Sequence, residues 1–189
     1  MDLADKLEHD QLVKHFDKLI EGTRNPTVKR NYSGQKTLQL GRWAEQVKIN
    51  RAVEMAVEHI KKGGQAIIVA ETDKAQSFWQ PVRDSHSEMR TSKTTGRTRE
   101  VWVTDGAITK IKRLLAEQGI TDIADIHDPK ANDVALQVRK FQSGKARVAL
   151  APPQSGGTGI DLDDSVGNSP RLMIALSKNM AGDAFEAFL

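Results

Sequence analysis

Cysteine is absent from the 189 residues. That excludes disulfides and thiolate metal sites, and it accords with a reducing, cytoplasmic setting. Long apolar runs are missing too. No stretch approaches the roughly 18–20 residues a membrane-spanning helix needs, so no membrane partner is expected. The opening MDLADKLEHD carries too much charge for a secretory leader. Two phosphate-binding signatures also fail. No lysine follows a glycine in the GxxxxGK[ST] frame, and the glycines never fall at GxGxxG spacing. No GxSxG elbow marks a nucleophilic serine. His9, His15 and the His127-Asp128 pair lack a second ligand pair at metal spacing, so no metal site is expected.

What is present is an ordinary globular composition, 38% hydrophobic and 28% charged, with a formal net charge of +3. That balance permits a nucleic-acid partner without pointing to one. Short apolar runs at Gln65–Ala70, Glu100–Thr104, Ala146–Ala151 and Arg171–Leu176 read as strands, with a weaker one at Thr121–His127. Several are nearly continuous in apolar residues, as strands covered on both faces are. Helical spacing marks Arg42–Lys62, stopped by Gly63-Gly64. It also marks a helix capped by Asp105 and ending at Gly119, and one starting at Asp128-Pro129 or Asn132 and ending at Gly144. A last helix is expected at Gly182–Leu189. Strands alternating with helices give an α/β fold with a mostly parallel sheet.

Two polar regions interrupt the alternation. Residues 1–41 read as an appended helix, Met1–Ile20, followed by a loop or linker over Gly22–Gln39. Pro81–Arg99 is Ser/Thr-rich and basic, and reads as an inserted loop. Its Arg83, Arg90, Lys93, Arg97 and Arg99 suit a nucleic-acid backbone and equally a solvated loop. Trp79 and Trp102 have the chemistry for base stacking. Trp102, alternating with valines, reads more simply as packing, as does Trp43; Tyr32 has no distinguishing context. Glu71, after its strand, reads as a helix cap.

The segment SGGTGIDL, Ser155–Leu162, follows the strand Ala146–Ala151 at the edge where parallel sheets gather ligands. Its glycines bring backbone N–H groups close to an anion, Thr158 adds a hydroxyl, and Asp161 adds an acceptor. The same composition also makes a structural turn.

The run VRKFQSGKARVALAPPQSGGTGIDL (Val138–Leu162) resembles the C-terminal RecA-like lobe of superfamily-2 helicases and translocases. There a helix ending in Phe and a short Gly turn lead into an apolar strand and the motif V loop, GG-x-G-[ILV]-[DN]-L. KINRAVEMAVEHIKKGGQAIIVAET (Lys48–Thr72) resembles that lobe's opening helix and motif IV strand. PRLMIALSKNMAGDAFEAFL (Pro170–Leu189) resembles the strand and helix start before motif VI. The resemblance covers 42–189 apart from the 81–99 insertion, and leans toward the Swi/Snf-like and strawberry-notch-like branches.

The resemblance implies a three-layer αβα RecA-like domain with an N-terminal helical appendage. It implies that Gln154, Ser155, Gly156, Gly157 and Thr158 meet a DNA or RNA backbone, while Gly159 and Asp161 face ATP or couple the two sites. ATP and Mg2+ would be held mainly by an N-terminal RecA-like lobe of the same parent protein. The Walker A loop, DE-box and motif VI are not in these residues, so the chain alone is expected to be inactive as an ATPase. Pro153 and Gln154 depart from the family's Ser/Thr and Lys. They leave room for the alternative of a non-catalytic α/β module that binds nucleic acid or protein.

Overall fold

The computed structural model describes residues 3–70, 74–93, 95–127, 133–153, 162 and 169–176. The chain divides into two compact units, Met1–Val47 with Lys74–Asp105, and Lys48–Asp73 with Gly106–Leu189.

The first unit begins with α1 (Leu3–Glu21), which buries Leu12 and Phe16. The next helix, α2 (Pro26–Lys61), starts sixteen residues before the expected Arg42, inside the stretch read as a linker. The reason is local. The Asn25 side chain accepts hydrogen bonds from the Thr27 and Val28 amides at 3.0 and 3.3 Å. Pro26, which has no N–H to satisfy, occupies the first helical position. Tertiary packing then sustains the polar turns. Gln39 is buried, donating to the Ser77 carbonyl at 3.0 Å and accepting from the Trp79 amide at 3.2 Å.

The stretch read as an inserted loop also proves to be structured. Strands β2 (Gln76–Phe78), β3 (His86–Thr91) and β4 (Thr98–Thr104) form an antiparallel sheet in the order β2-β4-β3. β4 contains the expected strand Glu100–Thr104, but its partners are antiparallel neighbours and not the parallel sheet. The core of this unit joins Leu12, Trp43, Phe78 and Val82, with Leu40, Val47 and Trp102 packed against it. Trp43 and Trp102 are packing residues, as read from the sequence.

The second unit is the α/β body. β1 (Gln65–Val69), β5 (Ile123–Asp125), β6 (Val148–Ala151) and β7 (Arg171–Ala175) form a wholly parallel sheet in the order β5-β6-β1-β7. Alternation along the strands sorts the core into two faces. Ala66, Ile68, Val148 and Leu150 pack with Ile49, Val53 and Ala56 of α2 and with Ile108, Ile111 and Leu115 of α3 (Ala107–Glu117). Ile67, Val69 and Ala149 pack on the opposite face with Phe141 of α4 (Val134–Gln142) and with Leu162. Two covered faces explain why β1 and β6 are buried at every residue.

The glycine stops are real. Gly63, Gly119 and Gly144 take positive φ of 91°, 76° and 74° at the ends of α2, α3 and α4. The starts differ from expectation. The N-cap of α3 is Gly106 with no side-chain bond, one residue past Asp105. Asp133 caps α4, accepting from the Leu136 amide at 3.1 Å, in place of Asp128 or Asn132. The helix expected at 182–189 lies outside the described residues, as does Glu71.

Candidate functional site

In an open parallel sheet, ligands settle beyond the carboxyl ends of neighbouring strands whose onward connections run opposite ways. β1 and β6 are such a pair. The path from β1 reaches β5 by way of α3 on one face of the sheet. The path from β6 crosses to β7 on the far side of β1, placing Leu162 in the core of the other face. The switch point therefore lies at the ends of β1 and β6.

The described residues around this rim are tied together by polar bonds. The Ala70 amide donates to the Ala151 carbonyl at 3.2 Å, and the Leu176 amide to the Val69 carbonyl at 2.9 Å. His127 Nε2 donates to the Ala70 carbonyl at 2.7 Å, a bond that fixes its protonated ring nitrogen. Its own amide is held by Asp125 Oδ1 at 2.9 Å. Lys112 Nζ meets the other carboxylate oxygen of Asp125 at 2.5 Å. Lys48 Nζ donates to the Leu176 carbonyl at 3.4 Å. His127 thus braces the rim.

The seven predicted site residues, Gln154, Ser155, Gly156, Gly157, Thr158, Gly159 and Asp161, lie outside the described residues. Their flanks are placed. The chain leaves β6 through Ala151, Pro152 and the buried Pro153, at the switch point, and returns at Leu162. Arg171 holds that return, donating from Nη1 to the Leu162 carbonyl while its guanidinium lies 4.4 Å over the Phe141 ring. Sequence reasoning took Arg171 only as the first residue of a strand. Nothing in its local context marks this anchoring role, because the fold brings it to Phe141, thirty residues away, and to the Leu162 carbonyl.

The other candidates are placed as well. Trp79 does not present a bare stacking surface: Arg99 lies 4.4 Å over its ring, and Phe16 and Tyr32 lie 5.2 and 6.2 Å away between centroids. His9 contacts Asp10 and Trp43. Among the described residues, no group of three or more His, Asp or Glu side chains is arranged to hold a metal ion.

His15 accepts at Nδ1 from Gln80 Nε2 at 2.9 Å, and its Nε2 is buried without a hydrogen-bond partner. Burial, and secondarily the Lys18 charge, lowers its pKa. A group that binds its proton less readily folded than unfolded supports the fold while both states are neutral. That support is lost as pH falls below about 6.5 toward the folded value, and then levels off. Thermal unfolding between roughly pH 7.5 and 5 is expected to show an acid-side loss that His15→Gln diminishes. An unaltered pH slope in that variant would assign the loss elsewhere.

No protein-family model matches the chain, and no curated protein or solved structure shows significant similarity to it.

Proposed function

We propose that this chain carries the C-terminal RecA-like lobe of an ATP-dependent helicase or translocase acting on DNA or RNA. The observation that supports this reading is where the residues flanking the GG-x-G segment lie. Its strand, β6, ends at the switch point of a parallel sheet, and Leu162 on its far side is anchored in the core behind. A loop at that position can touch a ligand lying over the rim while remaining mechanically tied to the sheet.

In this reading Ser155, Gly156, Gly157 and Thr158 present amides and a hydroxyl to backbone phosphates, with Gln154 beside them. Such contacts position a strand without reading its bases. Gly159 and Asp161 face the nucleotide. A Walker A and DE-box lobe would hold ATP, and its lysine and Mg2+ would supply the charge that neutralises and orients the reacting phosphates. The role of this chain is to feel the closed and open states of the two lobes through one loop, so that nucleotide turnover becomes movement along a strand.

The test joins the chain to a cognate N-terminal lobe and motif VI and measures nucleic-acid-stimulated ATPase. Loss of a hydrogen bond to a charged partner is worth about 1.5–3 kcal/mol, so Thr158→Ala and Asp161→Ala are each expected to lower the stimulated rate about tenfold or more. Undiminished rates in both variants would overturn the reading.

One observation favours a second reading, a non-catalytic module that binds nucleic acid or protein. Pro153, just before the 154–161 segment, has no N–H to offer, and it is buried. That reading is distinguished by strand binding retained without any stimulated ATPase in the joined protein.

A further inference from the structure

The basic stretch 81–99 holds five Lys/Arg against two Asp/Glu, and the structure separates these cations into two kinds. Arg83 pairs with Asp5 at 2.9 Å. Arg90 bonds Glu88 through Nε at 3.0 Å and Ser77 Oγ through Nη1 at 2.6 Å. Hydrogen bonds from His86 and then Arg90 hold the Glu88 carboxyl below its ordinary pKa. Arg99 lies over Trp79. These three are part of the fold of the first unit. Lys93 and Arg97 are different: both are exposed, and neither forms an ion pair among the described residues.

Register places the cations together. Arg90 and Arg99 stand directly opposite each other across β3 and β4, one rung from the Thr91–Thr98 pair, whose hydroxyls are 2.9 Å apart. The Ser92 amide donates to the Arg97 carbonyl at 2.9 Å, which extends the ladder by another rung. Alternation therefore sets Arg97 on the same face as Arg90 and Arg99. Lys93 follows in the turn, where Gly96 takes a positive φ of 66° and its amide donates to the Ser92 carbonyl. Like charges directly opposite destabilise a strand pair. Within the hairpin Glu88 offsets Arg90 and the Trp79 ring faces Arg99, which leaves Arg97 on that face as the cation with no ion pair among the described residues.

We propose that the tip of the β3–β4 hairpin is a second contact for a nucleic-acid backbone, with Lys93 and Arg97 meeting phosphates and Arg90 and Arg99 supporting the field behind them. The partner is a polyanion, matched by the exposed Lys93 and Arg97 at the hairpin tip with Arg90 and Arg99 on the strands behind them. The inference rests on the proposed function only for the class of that polyanion, and it concerns residues outside the motif V loop. Contacts of this kind steer and position without base selectivity.

The test measures binding of a fluorescent single-stranded oligonucleotide to the full chain across salt, for wild type, the Lys93→Ala/Arg97→Ala double variant and Thr158→Ala. Two phosphate contacts to a single strand contribute a slope of about −1.4 in log affinity against log salt. The double variant is expected to lose that slope, so its deficit at roughly 50 mM salt exceeds its deficit at roughly 200 mM about sevenfold. Its thermal unfolding should match wild type, since both side chains are exposed.

An unchanged slope in the double variant, with weakened binding in Thr158→Ala, would overturn the hairpin contact and leave the proposed function standing. Displacement of the oligonucleotide by polyglutamate of equal charge would overturn it in favour of an acidic protein partner. Absence of any wild-type binding at low salt would overturn it too, whatever the ATPase of the joined protein shows.

Discussion

Phe141→Ala is expected to destabilise the second unit by about 3–5 kcal/mol, the range for removing a fully buried aromatic ring from a core. The ring has no solvent exposure and packs with Ile67, Val69, Ala124 and Ala149 on the α4 face of the sheet. It also supports Arg171, whose guanidinium lies over it while bonding the Leu162 carbonyl. Truncation therefore opens a cavity and removes the surface on which an anchor of the 154–161 segment rests. Urea unfolding followed by far-UV circular dichroism measures the effect. The midpoint should fall with little change in slope if the cavity alone is responsible. Phe141→Leu, which keeps most of the volume, should recover more than half the loss. A loss under about 1 kcal/mol for the alanine variant would mean that α4 collapses onto the sheet and that the ring is not its anchor.

The second large effect is expected from a polar residue. Gln65 opens β1, is 1% exposed, and donates from Nε2 to the Phe141 carbonyl at 2.7 Å and the Ala146 carbonyl at 2.8 Å. One amide thus joins the end of α4 to the entrance of β6. Gln65→Leu keeps the bulk and removes both donors. The Phe141 carbonyl retains the Gly144 amide at 3.0 Å, so the main penalty falls on Ala146, and about 2–3 kcal/mol is expected.

Gln65→Glu is the sharper variant. An ionised carboxylate facing two carbonyl oxygens is repelled and poorly solvated, so its pKa must rise on folding. Stability should then be lowest at neutral pH and recover as the pH falls, when the protonated acid can donate again. Equal stability of this variant at about pH 7 and pH 5 would refute the proposed geometry. Because Gln65 touches Phe141, the two losses should not add; the double variant should fall short of the sum by about 0.5 kcal/mol or more.

The parallel sheet was legible because its strands are covered on both faces, and only near-continuous apolar sequence satisfies that. Gln65–Ala70 and Ala146–Ala151 announce themselves without context. The glycine stops after α2, α3 and α4 were legible for an equally local reason, the left-handed backbone that glycine adopts at little cost. The caps were less so. Asp105 and Gly106 before α3, like Asn132 and Asp133 before α4, can each occupy the cap position, and which is used depends on where the first turn meets its neighbours.

The polar segments were misread for a different reason. Asn25-Pro26 is a local start signal, but the turns it begins have no clear apolar stripe. They become helical because Leu40 and Trp43 find a core and Gln39 finds Ser77 and Trp79, thirty-eight and forty residues away. Pro81–Arg99 lacks the apolar alternation of a half-buried strand. Its β3 is exposed along nearly its whole length, and its pairing with β4 is what makes it a strand.

What the sequence determined by itself was therefore whatever backbone conformation and two-sided burial dictate within about ten residues: the apolar strands, the helix ends, and a glycine segment following β6. Tertiary structure decided the partners. It set Glu100–Thr104 in an antiparallel sheet, placed β6 beside β1 at a switch point, and laid Arg171 over Phe141. A strand's side chains specify which faces are covered, whereas the neighbour on its hydrogen-bonding edge is chosen by backbone groups that every residue shares.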